Sequence, residues 1–65
     1  MKILIKDITD DGSQCIMYHM HGNTITKADI VSKTELNEII SQYGELIDSG
    51  KYTIETMSYN EYINQ

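Results

Sequence analysis

Arginine, phenylalanine and tryptophan are absent from this 65-residue chain, and cysteine occurs once. The lone Cys15 cannot close an internal disulfide, which fits a reducing cytoplasm. Without Arg, five Lys stand against ten carboxylates and the formal charge is −5. Phosphate neutralisation needs clustered Lys and Arg, so neither direct nucleic-acid binding nor attachment to an anionic membrane is expected. Long apolar runs are missing too. The stretch MKILIKD is interrupted at Lys6 and Asp7, short of the ~7–15 apolar residues of a signal peptide and the ~20 of a spanning helix. The expectation is a soluble, cytoplasmic protein.

The length allows a single α+β domain over residues 1–65. A chain this short buries only about 60% of the surface that its unfolded form exposes. Self-association or a partner would add stability. The charge is uneven. Lys2, Lys6, Lys27 and Lys33 balance Asp7, Asp10, Asp11 and Asp29 in the first half. Glu35, Glu38, Glu45, Asp48, Glu55 and Glu61 face Lys51 alone in the second, which therefore holds the whole −5.

KILIKDI and CIMYHMH flank Asp11-Gly12, a pair that tolerates positive φ, and read as a β-hairpin. A two-residue turn there sets Ile8 opposite Cys15, Ile5 opposite Tyr18, Leu4 opposite His19 and Lys2 opposite His21. Ile3, Ile5, Ile16, Tyr18 and Met20 then share the core face. Lys2, Leu4, Lys6, Ile8, Cys15, Met17, His19 and His21 share the other. A slip of one residue would exchange the faces of one strand. Residues 22–31 are compatible with a short irregular strand or with a helical turn begun at Thr26.

Ser32 with Glu35 forms a capping-box pattern. Leu36, Ile39, Ile40, Tyr43 and Ile47 then recur at helical spacing, which predicts an amphipathic helix over 33–49 with Gly50 as its left-handed cap. Gly44 inside it marks a kink or a close contact. Residues 52–57 alternate as a strand, and Ser58 with Glu61 starts one closing helical turn. The predicted fold is a small ββαβ domain with a mainly antiparallel three-stranded sheet of order 2-1-3. Its helix packs on one face. The open face, with Leu4, Ile8, Met17, His19 and Met57, is a candidate dimer surface.

Cys15, His19 and His21 alternate onto one side of a strand, as metal ligands would. At about 3.3 Å per residue, Cys15 lies roughly 13 Å from His19, too far for one ion. His19 and His21 are ~6.6 Å apart by the same rise, but the predicted neighbour of His21 is Lys2, whose charge opposes a cation. A His-based metal module therefore ranks last, no cofactor is expected, and a Cys–His nucleophile fails on the same distance. Asp10-Asp11-Gly12 lacks the alternating ligands of a calcium loop. With no phosphate loop and no catalytic triad pattern, an enzyme is not expected.

The strongest functional feature is the outer helix face. Glu35, Glu38, Gln42 and Glu45 follow one another at helical spacing, with Asp48 near the end and no i+4 Lys to offset them. Glu55 and Glu61 are expected to add charge from neighbouring elements. Of the five Tyr, residues 18, 43 and 52 fit the core, with hydroxyls at its edge. Tyr59 and Tyr62 are contact candidates. In size, acidity and lack of catalytic motifs the chain resembles, in type, the small proteins that bacteriophages direct against host or defence enzymes. A nucleic-acid mimic that inhibits a basic protein partner is the leading expectation. A homodimeric assembly subunit using the open sheet face is the alternative.

Overall fold

The computed structural model describes residues 1–64. Strands β1 (Lys2–Asp7), β2 (Gln14–His21) and β3 (Thr24–Ser32) run consecutively. Helices α1 (Lys33–Gln42) and α2 (Gly44–Asp48) follow, then β4 (Thr53–Met57) and α3 (Tyr59–Ile63). The single sheet has the order β3-β2-β1-β4, with β1 and β4 parallel and the other pairs antiparallel. The α+β class and the placing of β4 beside β1 follow the sequence pattern. The sheet, however, has four strands and not three.

The extra strand is β3. Gly22-Asn23 makes a two-residue turn between His21 and Thr24, with Gly22 at φ 61. Positive φ at the first turn position alone suits a type II′ hairpin. The open question over residues 22–31 is thereby answered as strand, with one irregularity between His19 and Met20, where Thr26 donates its hydroxyl to the His19 carbonyl at 3.1 Å.

The first hairpin departs from its expected register by one residue. The Gly12 N–H donates to the Thr9 carbonyl at 3.1 Å, and Gly12 takes φ 72. Ser13 N–H donates to Asp11 Oδ1 at 2.9 Å, and Gln14 N–H to Thr9 Oγ1 at 3.2 Å. These bonds close a loop longer than the expected two-residue turn, and Ile8 N–H reaches the Gln14 carbonyl across its base at 3.1 Å. Asp7 consequently pairs with Cys15, Ile5 with Met17, Leu4 with Tyr18 and Lys2 with Met20. The slip turns β2 over. Ile3, Ile5, Cys15, Met17, Val31 and Leu36 form the buried core, with Ile39, Ile40, Tyr43, Tyr52 and Ile54 packed against it. Ile16, Tyr18 and Met20, expected inside, face away from the helices.

α1 begins as expected. Ser32 Oγ accepts the Glu35 N–H and donates to Glu35 Oε1, both at 3.2 Å. The predicted continuous helix over 33–49 breaks at Tyr43, whose ψ of 5° leaves the helical well. Gly44 is the first residue of α2, and nothing lies within 4 Å of where its Cβ would stand, so it marks a kink and not a close contact. Gly50 has the expected left-handed backbone, at φ 80. Ser58 caps α3 by accepting the Glu61 N–H at 3.3 Å.

Candidate interaction faces

The fold separates charge from apolar surface. On the helical side, Glu35, Glu38, Gln42, Glu45 and Asp48 are all exposed. No basic residue lies between Thr34 and Gly50. The ion pairs of the described residues use other carboxylates: Lys2 with Glu55, Lys27 with Asp29 at 3.5 Å, and Lys33 with Asp7 at 2.7 Å. Lys33, at the unfavourable positive end of the α1 dipole, is thus held against β1. Its backbone N–H also donates to the Ser13 carbonyl at 2.9 Å.

Of the two residues expected to extend the acidic face, Glu55 lies elsewhere, whereas Glu61 stands beside α1. Glu55 sits opposite Leu4 in the β1–β4 register, on the open side of the sheet, and is paired with Lys2. The strand alternation of β4 turns it away from the helices. Glu61 caps α3 and borders a cleft of about 490 Å³ with Lys33 and Asn37. Tyr59 lies beside the β1–β2 loop, and the Tyr62 ring lies 6.0 Å from Lys6 Nζ. Both tyrosines are half-buried, so α3 packs back onto the sheet and offers them only in part.

The expected dimer face is also redrawn. Met17 is 3% exposed and belongs to the core. His19 lies on the helical side, its ring 6.2 Å from that of Tyr43, which stacks on Tyr52 at 5.2 Å. Leu4 stays on the open side, Met57 stands beside Lys6 in the register, and Ile8 falls just past the end of β1. The open side gains Ile16, Tyr18 and Met20 from β2, and Ile25, Ala28 and Ile30 from β3. The sequence reading missed these six. The Gly22-Asn23 pair followed by apolar residues at 25, 28 and 30 was the signal that could have found three of them.

Cys15 is fully buried, and its thiol points to the Val31 carbonyl at 3.8 Å. Burial pushes its pKa up, with Asp7 adding to the effect and Lys33 opposing it. Asp11 is held below the usual carboxylate range by the Ser13 N–H and by the Ser13 and Thr9 hydroxyls. Glu35 and Gln42 border a cleft of about 460 Å³ whose floor includes His19. Among the described residues no group of three or more His, Cys, Asp or Glu is placed to hold a metal ion. None of their helices is long and apolar enough to cross a membrane. Against protein-family models, curated proteins and solved structures, the chain finds no match.

Proposed function

We propose that the protein is a non-catalytic binding protein whose acidic helical layer engages a basic surface on a protein partner. The observation that carries this reading is the exposure of Glu35, Glu38, Glu45 and Asp48 on one layer whose own lysine, Lys33, is taken up by Asp7 of β1, while Lys27 across the cleft from Glu35 pairs with Asp29. The carboxylates of the sheet, by contrast, are matched with Lys. A single-sign field of this kind steers a positively charged partner and fixes its orientation. The partner surface best matched to it is a groove that otherwise holds nucleic acid, and occupying that groove inhibits its owner. On this reading the chain works as the small acidic phage inhibitors of host or defence enzymes do.

The test is an affinity pull-down from extract of the native host, run at low and high salt with the wild type and with the Glu35→Gln/Glu38→Gln/Glu45→Gln variant. The expected result is a basic protein held by the wild type at low salt, released by added salt and by competing nucleic acid, and lost from the variant. Retention of the same partner by the triple variant would defeat the reading.

A further inference from the structure

β3 is an edge strand, and its outer backbone is open along its second half. The Lys33 N–H bonds to the Ser13 carbonyl at 2.9 Å, which makes Ser13 and Lys33 a bonded position of the β2–β3 ladder. Bonded and non-bonded positions alternate along an antiparallel pair. Counting inward through the register, β3 bonds to β2 at Val31 and Asp29 and turns the N–H and C=O of Ala28 and Ile30 away from β2. Among the described residues no turn, loop or cap bond reaches the backbone of Ala28 or Ile30. Natural edges are commonly blunted by Lys, Pro or a bulge. Lys27 and the irregularity at Thr26 guard the first half of β3 in this way, but residues 28–32 carry none of these devices.

The two sides of that edge differ in kind. On the open side stand Ala28 and Ile30, the latter 66% exposed. On the helical side, Asp29, Val31 and Glu35 border the cleft of about 460 Å³ between β3 and α1. The side chains of a strand added to the edge alternate between those two sides. We propose that the basic partner docks by laying an extended segment antiparallel to residues 28–32, in which Lys or Arg alternates with apolar residues. The segment's residues opposite Ala28 and Ile30 are apolar and continue the apolar strip of the open side. Those opposite Asp29 and Val31 are basic and enter the cleft toward Asp29 and Glu35. Main-chain hydrogen bonds hold such a strand, and the alternation of its side chains selects it. The inference rests on the acidic-face reading and adds the form in which the partner presents its charge.

Charge favours this occupant over a second copy of the chain. Antiparallel pairing of two β3 edges turns one copy about an axis perpendicular to the sheet. An axis through Asp29 sets that carboxylate against itself, and an axis through Ala28 sets Ile30 against the irregularity at Thr26. Either axis also brings the two acidic helical layers side by side on one face of the joined sheet, where like charges repel. A basic segment meets the same carboxylates with the opposite sign.

The test is an NMR titration of the ¹⁵N-labelled protein with two peptides of equal composition and charge. One is acetyl-Thr-Arg-Val-Arg-Val-Thr-amide, and the other, acetyl-Thr-Arg-Arg-Val-Val-Thr-amide, breaks the alternation. The alternating peptide is expected to bind at least about tenfold more tightly and to slow hydrogen exchange at the Ala28 and Ile30 amides. Ala28→Pro removes an outward N–H without touching a bond to β2, as edge strands tolerate, and should abolish the preference while the β2–β3 cross-peaks stay in place. Asp29→Lys reverses the charge on the cleft side and should weaken the alternating peptide about tenfold as well. Equal binding of the two peptides, or no binding of the alternating one, overturns the proposal. So does a partner recovered in the pull-down that Ala28→Pro holds as tightly as the wild type does. That last result leaves the acidic-face reading intact, which falls only if the Glu→Gln triple variant keeps the partner.

Discussion

At the scale of single residues, Cys15 shows how little separates one face of β2 from the other. The alternation that groups Cys15, Met17 and His19 on one side was legible in CIMYHMH, but the choice of side was not. Each side of that strand carries apolar residues, and Ile16, Tyr18 and Met20 make the larger apolar set. Hydrophobicity alone therefore favours the wrong face. The deciding information sits in the loop, where hydrogen bonds from Gly12, Ser13 and Gln14 replace the expected two-residue turn. The buried thiol gives a direct check on the outcome. A thiol whose folded pKa is raised stays protonated in the native chain while the unfolded chain ionises. Its contribution is complete below the unfolded value and is lost as pH rises through and above it, from about pH 8.5 upward. Native Cys15 is expected to react with a thiol reagent only as fast as the domain opens, and denaturant melts should show stability declining in that alkaline window. Cys15→Ala should cost about 1 kcal/mol at neutral pH and flatten the decline. An equally steep decline in the variant would assign it to Tyr and Lys instead. Exposure on the open face, the original expectation, would make the thiol reactive at once.

At the scale of elements, both capping boxes could be read from sequence because each depends on contacts within a few residues, and β4 because its alternation shows within its own residues although its partner β1 lies far away in the chain. Ser32 with Glu35 and Ser58 with Glu61 needed only a helix to start. β3 was obscured by a competing local signal, since Thr26 and Asp29 imitate the same capping spacing while pairing with β2 supplies the hydrogen bonds that win. The break at Tyr43 was signalled by Gly44, though a lone glycine leaves its reason open. Two glycines now make a controlled comparison, since a Cβ at Gly44 or at Gly22 would meet nothing within 4 Å. Only the backbone differs: Gly22 lies at φ 61 in its turn, whereas Gly44 is outside the left-handed region. Gly44→Ala is expected to stabilise by roughly 0.5–1 kcal/mol through unfolded-state entropy and helix propensity. Gly22→Ala should destabilise by about 1 kcal/mol or more. For a domain of this length each kcal/mol moves the melting temperature by about 4–8 °C, so the two variants should shift in opposite directions. A fall with Gly44→Ala would mean that the kink is under strain that the glycine relieves.

For the whole molecule, the distribution of charge makes a prediction about salt that opposes the usual one. Three ion pairs occur among the described residues, two between elements and one within β3, all of them partly exposed, and pairs of that kind contribute about 0–1 kcal/mol each. Screening them would lower stability. Against them stands a helical layer in which Glu35 and Glu38, then Glu45 and Asp48, are spaced three apart with like charge, a repulsion of a few tenths of a kcal/mol per pair. Glu35 gains from the positive end of α1, but Asp48 meets the negative end of α2, where no basic residue answers it. The second half of the chain carries the full excess of −5, so repulsion outweighs the ion pairs. Raising sodium chloride from about 0.01 to 0.15 M shortens the Debye length from ~30 to ~8 Å. Over that range the melting temperature is expected to rise by about 4 °C, corresponding to roughly 0.5–1 kcal/mol. Chloride is the right salt, because sulfate would stabilise apolar burial as well. The Glu35→Gln/Glu38→Gln/Glu45→Gln variant should melt higher than the wild type at low salt and lose most of the salt response. The melts belong at a few micromolar, where association contributes little. If the melting temperature of the wild type falls with salt, the ion pairs outweigh the acidic layer, and the single-sign field on which partner binding depends is too weak to steer anything.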